Sequence, residues 1–156
     1  MMKYAVFGDV HSNGEALKTF LRYIDSIPDI QPICLGDTVG YASCPNECLE
    51  MLFDRKIPMV MGNHDKAIQS VEGRIRFNPL ARIVIEWQSQ ILLPGYRKAL
   101  SKLPFTLQFH DRISITHGDF SKPEEFRYVF DVYDAGPSMN AMKTSIGFFG
   151  HTHFQA

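Results

Sequence analysis

The sequence has no long apolar run, no surplus of positive charge and no cysteine framework, and each absence removes a class of function. No stretch of the 156 residues approaches the roughly 18 consecutive apolar residues of a membrane helix. The amino-terminal run Lys3–Phe7 reaches Gly8-Asp9 too soon for a secretory signal, so no membrane role is expected. With 16 basic and 17 acidic residues the net charge is −1, which offers no non-specific grip on nucleic acid. A nucleotide substrate stays open, because bound metal ions could meet its charge. Cys34, Cys44 and Cys48 are odd in number and lack framework spacing, which reads as reduced thiols in a cytoplasm. Cys44 and Cys48 have no second cysteine pair to complete a zinc site and are read as ordinary loop and helix residues. No Gly-x-Gly-x-x-Gly follows the first strand; Asp9 and His11 occupy that turn, which sets aside a dinucleotide-binding oxidoreductase.

What is present fits one domain over 1–156, with 45% hydrophobic and 21% charged residues to build a sizeable core. Lys3–Phe7, 32–35 and 58–61 are short apolar runs, each ending in a glycine followed by Asp or Asn. Between them, 14–27 carries Leu17, Phe20, Leu21 and Ile24 at helical spacing before Pro28. The stretch 45–53 is a helix opened by proline, with Cys48, Leu49 and Leu52 on one face. This βαβ rhythm predicts a mostly parallel sheet whose ligand edge lies at the strands' carboxyl ends. Further on, Asn78-Pro79 resembles a cap, and Ile83, Trp87 and Ile91 are expected to form a core-facing stripe. A helix over 96–103, a hairpin of 105–109 with Ile113–Thr116 around His110-Asp111, a loop over 122–137, a helix over 138–144 and a last strand over 146–149 follow.

Five of the six histidines stand in strand-end corners: His11, His64, His117, His151 and His153. Asp9, Asp37, Asp65 and Asn63 share those corners. In extended backbone, residues two apart point the same way, so Asp9 with His11, and His151 with His153, are each expected to reach into one cavity. Mixed oxygen and imidazole donors without cysteine suit Mn, Fe or Zn rather than a closed structural site. The donors exceed what one ion needs. Two divalent or trivalent ions roughly 3.5–4 Å apart, with a carboxylate between, would use them.

Gly8-Asp9-Val10-His11, Gly36-Asp37, Gly62-Asn63-His64-Asp65, His117-Gly118 and Gly150-His151-Thr152-His153 resemble, in order, the motifs of the calcineurin-like metallophosphoesterases. Gly40-Tyr41, Pro45 to Cys48 and Phe77 to Ala81 resemble a branch of small bacterial and archaeal phosphodiesterase-like members. The resemblance implies an α/β fold, a four-layer αββα sandwich with the metals at one edge. It implies that Asp9, His11 and His153 hold one metal and Asn63, His117 and His151 the other, with Asp37 bridging. His64 would bind no metal and would face the substrate as a proton donor, with Asp65 on its far nitrogen. Asp65 also reads as a plain helix-capping residue.

Two departures shape the expected function. Protein-phosphatase members continue their second motif into Asp-Arg-Gly, whereas here Thr38-Val39-Gly40-Tyr41 follows Asp37. Without that guanidinium clamp, a diester or nucleotide is favoured over a phosphoprotein. Arg74, Arg76 and Arg82 are read as solvated surface residues. The chain also stops at Ala156, three residues past His153, where family members continue with further strands. A truncated C-terminal part is expected, with an open sheet edge that invites self-association. Cavity walls are expected from 41–44, from the region after Asp65 and from 119–137. The reading from a different class is a metallophosphoesterase-like scaffold that binds partners without turnover.

Overall fold

The computed structural model describes residues 3–154, so expectations attached to Ala156 lie outside the described residues. β1 (Lys3–Phe7) and β2 (Ile30–Cys34) pair in parallel, with Lys3 opposite Ile30 and Phe7 opposite Cys34. The expected third strand runs beside β2 but joins it through one bridge, Cys34 to Met59. Pro58 has no N–H to extend that ladder. A second sheet has the order β3 (Thr106–Phe109), β4 (Ile113–Thr116), β5 (Ile146–Phe148). β3 and β4 form the expected antiparallel hairpin, and β4 and β5 are parallel.

α1 (Gly14–Asp25) starts where Asn13 accepts a hydrogen bond from Ala16 N at 3.1 Å. α2 (Pro45–Asp54) and α4 (Pro79–Ile91) each open on proline, whose missing N–H costs nothing in a first turn. Between them lies the one-turn α3 (Asn63–Ala67), and α5 (Pro94–Leu100) follows α4. The sequence expectation of a loop over 122–137 is corrected in its second half. α6 (Val132–Ala141) begins where the Asp131 carboxylate accepts from Tyr133 N and Asp134 N. Gly136-Pro137 inside it hides the helix from a propensity reading.

The two sheets face each other through Ile33, Leu35 and Val60 on one side and Ile115, with Leu107, Phe109 and Ile113, on the other. α1 and α2 cover the far face of the first sheet with Leu17, Leu21, Ile24, Cys48 and Leu52. On the far face of the second, Phe120 and Met142 close over Gly147, and Ser138 Oγ of α6 accepts from Phe120 N at 2.8 Å. The layers are therefore helix, sheet, sheet, helix. A side cluster of Val39, Leu49, Ala67, Ile68, Ile85, Leu92 and Leu100 joins α2 to α3, α4 and α5 beside the first sheet.

α4 is turned the other way round from the sequence expectation. Ile83, Trp87 and Ile91 are 64%, 42% and 39% exposed, while Ala81, Ile85 and Gln88 are fully buried. Both faces carry apolar residues at helical spacing, and periodicity alone favoured the one with tryptophan over the one interrupted by glutamine. Ile85→Ala is expected to cost about 2–5 kcal/mol by opening a cavity, and Ile83→Ala less than about 0.5 kcal/mol. Urea denaturation of the two variants checks the orientation, and the reverse ranking would refute it.

Candidate metal centre

The corners that follow the strands meet at one edge and are stitched to one another. Asp9 N donates to Gly36 O at 3.0 Å, His11 N to Asp37 O at 2.9 Å and Gly150 N to His117 O at 2.9 Å. His151 N donates to the Asp9 carboxylate at 3.2 Å. The paired residues converge, but not through extended backbone as the sequence reading supposed. Asp9, His11, Asp37, His151 and His153 all have left-handed φ, at 51°, 49°, 51°, 71° and 56°. Such conformations cost on the order of 1–3 kcal/mol each and persist where surrounding structure enforces them.

Three overlapping donor sets result among the described residues. Asp9, His11 and His153 place ligand atoms within 4.8 Å of one another, so do Asp37, His117 and His151, and a linking set of His11, Asp37 and His64 meets the same limit. In the first set, His153 Nε2 lies 3.0 Å from His11 Nε2 and 3.2 Å from Asp9 Oδ1. In the second, His117 Nε2 lies 3.0 Å from Asn63 Oδ1 and 3.3 Å from Asp37 Oδ2. Asp37 also approaches the first set, 3.8 Å from His11 Nε2. Gly62 permits this placement, because a side-chain carbon there would overlap Asp37.

Backbone carbonyls fix the tautomers. A carbonyl can only accept, so His117 donates Nδ1–H to Leu35 O at 2.8 Å and His11 donates Nδ1–H to Val39 O at 3.2 Å. In the neutral rings Nε2 is then the acceptor: His11 Nε2 accepts from His153 Nε2–H, whereas the His117 Nε2 lone pair faces the oxygens of Asn63 and Asp37. A proton or a cation between His117 and those oxygens relieves that repulsion, so the donor set fits a metal. Burial pushes the pKa of Asp37 up, but the charges of His117, His64 and His11 outweigh it and hold the carboxyl well below the usual range. Burial pulls His117 down, yet the neighbouring Asp37 raises it to about 9. His151 is lowered to about 4, first by burial and then by His117.

His64 is buried, its backbone N donates to Asp37 Oδ1 at 2.9 Å, and burial lowers its pKa to about 4. Its Nδ1 has no hydrogen-bond partner. The expectation that Asp65 sits on that nitrogen is corrected. Asp65 Oδ1 accepts from Thr38 N at 2.9 Å, Thr38 Oγ1 at 2.6 Å and Val39 N at 3.2 Å, and Oδ2 from Gly62 N at 3.0 Å. Asp65 therefore locks the Asp37 corner to the start of α3 and does not touch the reacting end of the site. Arg74, expected as a solvated residue, is buried and donates to Ala67 O at the carboxyl end of α3. Arg76 lines the cavity, and Arg82 is exposed.

A cavity of about 950 Å³ opens onto Asp37, Asn63, His64, His151 and His153. Its walls come from the three expected stretches, with Tyr41, Phe77, Phe126, Tyr128, Lys66 and Arg76 among them. Tyr128 stacks on His151, centroids 4.0 Å apart and planes 9° off parallel, and Phe77 meets His64 edge-on at 4.7 Å. Sequence reasoning placed Phe77 in a family-like stretch without a role at the site and did not single out Tyr128, because no periodicity or spacing marks an aromatic in an irregular loop.

Residues 2–156 match the family described as the calcineurin-like phosphoesterase superfamily domain. An uncharacterized protein of Methanocaldococcus jannaschii is 32% identical over 96% of this chain and 61% of its own length. A metallophosphoesterase from Sphaerobacter thermophilus superposes with a TM-score of 0.82 at 30% identity, covering 97% of this chain and 61% of its own. A protein of Pyrococcus horikoshii shares the fold, with a TM-score of 0.78 at 18% identity, over 90% of this chain and 65% of its own. This chain thus spans less than two thirds of the length of these relatives.

Asp65→Ala removes an acceptor shared by three backbone N–H groups and a hydroxyl. It is expected to destabilise the fold by about 3 kcal/mol. Chemical denaturation measures this, and a loss under about 1 kcal/mol would contradict the locking role.

Proposed function

This chain belongs to the calcineurin-like phosphoesterase superfamily, and from that premise we propose that residues 1–156 form one domain that hydrolyses phosphate esters with two metal ions. The observation that carries the reading is two outer donor sets linked by a third in which Asp37 lies with His11 and His64, with the Nδ1 atoms of His11 and His117 committed to backbone carbonyls. In this reading Asp9, His11 and His153 hold one ion, Asn63, His117 and His151 hold the other, and Asp37 lies between them. When bound, such ions supply Lewis-acid charge against phosphoryl oxygens and a nucleophile from water at near-neutral pH. Mn, Fe and Zn all suit the donors, and availability selects among them.

The chain's own residues do the rest. Val39 O and Leu35 O hold two imidazoles in the ligating tautomer, so little reorganisation remains when charge develops. His64 lines the cavity beside the donor sets and takes the role of proton donor to the leaving oxygen, the negative charge of a bound phosphate ester opposing the burial that lowers its pKa. Tyr41 stands where protein-phosphatase relatives carry arginine, and the walls combine Phe77, Phe126 and Tyr128 with Lys66 and Arg76. A single phosphoryl charge beside a planar group suits these walls better than a phosphoprotein. The substrate class is therefore a diester or nucleotide. Three free thiols fit a cytoplasmic protein.

Protein stripped with chelator and reloaded with Mn²⁺ is expected to hydrolyse bis(p-nitrophenyl) phosphate. His64→Ala should keep both ions and lose about 10²–10⁴-fold in rate. Metal analysis of that variant decides the assignment, since loss of an ion would make His64 a ligand. Asp37→Asn should weaken both ions together, and loss of one alone would count against a bridging carboxylate.

A further inference from the structure

We propose that Gln88 is a positioning residue for the metal centre, its single side-chain amide clamping the loop that carries Asp9 and His11 to the loop that carries Asp37. The proposal rests on the two-metal reading of the site.

Gln88 is 0% exposed and sits on the buried face of α4 between Ile85 and Leu92. An amide in such surroundings is costly unless its polar atoms are bonded. Here they all are, and every partner belongs to the two loops. Oε1 accepts from Gly40 N at 2.7 Å. Nε2 donates to Ala42 O at 2.6 Å, to Ser12 Oγ at 3.0 Å and, weakly, to Gly40 O at 3.4 Å. Ser12 directly follows His11, and Gly40 and Ala42 flank Tyr41.

The clamped segments are those that need holding. His11, Ser12 and Tyr41 have left-handed φ of 49°, 58° and 44°, and Gly40 has φ of 105°. Gly40 is also the surface on which two site histidines rest. A Cβ there would meet His64 Nδ1 and stand 3.1 Å from His11 Nδ1. The position of Gly40 therefore sets both rings, and Gln88 sets Gly40. Only an amide serves all these partners. A carboxylate would turn a second acceptor toward the carbonyls of Gly40 and Ala42, and methionine matches the length but bonds to none of them.

The test is Mn²⁺ binding to the chelator-stripped chain, followed by electron paramagnetic resonance, with folding monitored by circular dichroism. Gln88→Met is expected to fold and to bind Mn²⁺ about 10–100-fold more weakly, as loss of outer-shell support does elsewhere. Ser12→Ala removes one contact of the clamp and is expected to weaken binding by a smaller factor. In the Gln88→Met background Ser12→Ala should then add nothing, because the two act through one hydrogen bond. A folded Gln88→Met with wild-type affinity would overturn the proposal. Should Gln88→Met fail to fold, Ser12→Ala decides alone, with unchanged affinity the overturning result. Absence of Mn²⁺ binding in the wild-type chain would instead sink the metal-centre reading, and this proposal with it.

Discussion

A carboxylate with 1% of its surface exposed sits among three imidazoles, and the rest of the architecture answers to it. Asp37 cannot shed its charge cheaply in the company of His117, His64 and His11, and it cannot keep that charge without them. The neighbouring backbone is shaped around it. Gly62 has no side chain because Asp37 occupies that space, and His64 N donates to the carboxylate. Asp65 then bonds the residues immediately after Asp37, so one acid orders the loop that presents another. Placing so many ionisable groups together has an energetic cost that sheet packing must offset, and the interface of Ile33, Leu35, Val60 and Ile115 lies directly behind the site.

Much of this was legible in the residues. The strand-end corners and the donor types within them marked the Asp and His residues that the structure brings together at one edge. The cap at Asn78 and the prolines at Pro45 and Pro79 marked helix starts correctly. These signals are local, and a local sequence reading captures them.

The failures share a cause. The i, i+2 argument for Asp9 with His11 assumed extended backbone, but the corners are left-handed, a property imposed by hydrogen bonds from distant segments such as His11 N to Asp37 O. Asp65 sits beside His64 in sequence, yet its oxygens are taken by Thr38, Val39 and Gly62. α4 presents Gln88 inward because polar loop atoms await it there, and a hydrophobicity pattern cannot register a buried amide with all its partners. In each case a long-range partner decided the outcome.

The reversed face of α4 has a practical side. Trp87, the sole tryptophan of the chain, adjoins Gln88 but lies half-exposed on the flank of the same helix. Its indole is a built-in optical label on the element that grips both loops. Solvent reaches the ring while the amide one residue away stays dry, so tilting or fraying of α4 registers as a change in emission without any added dye.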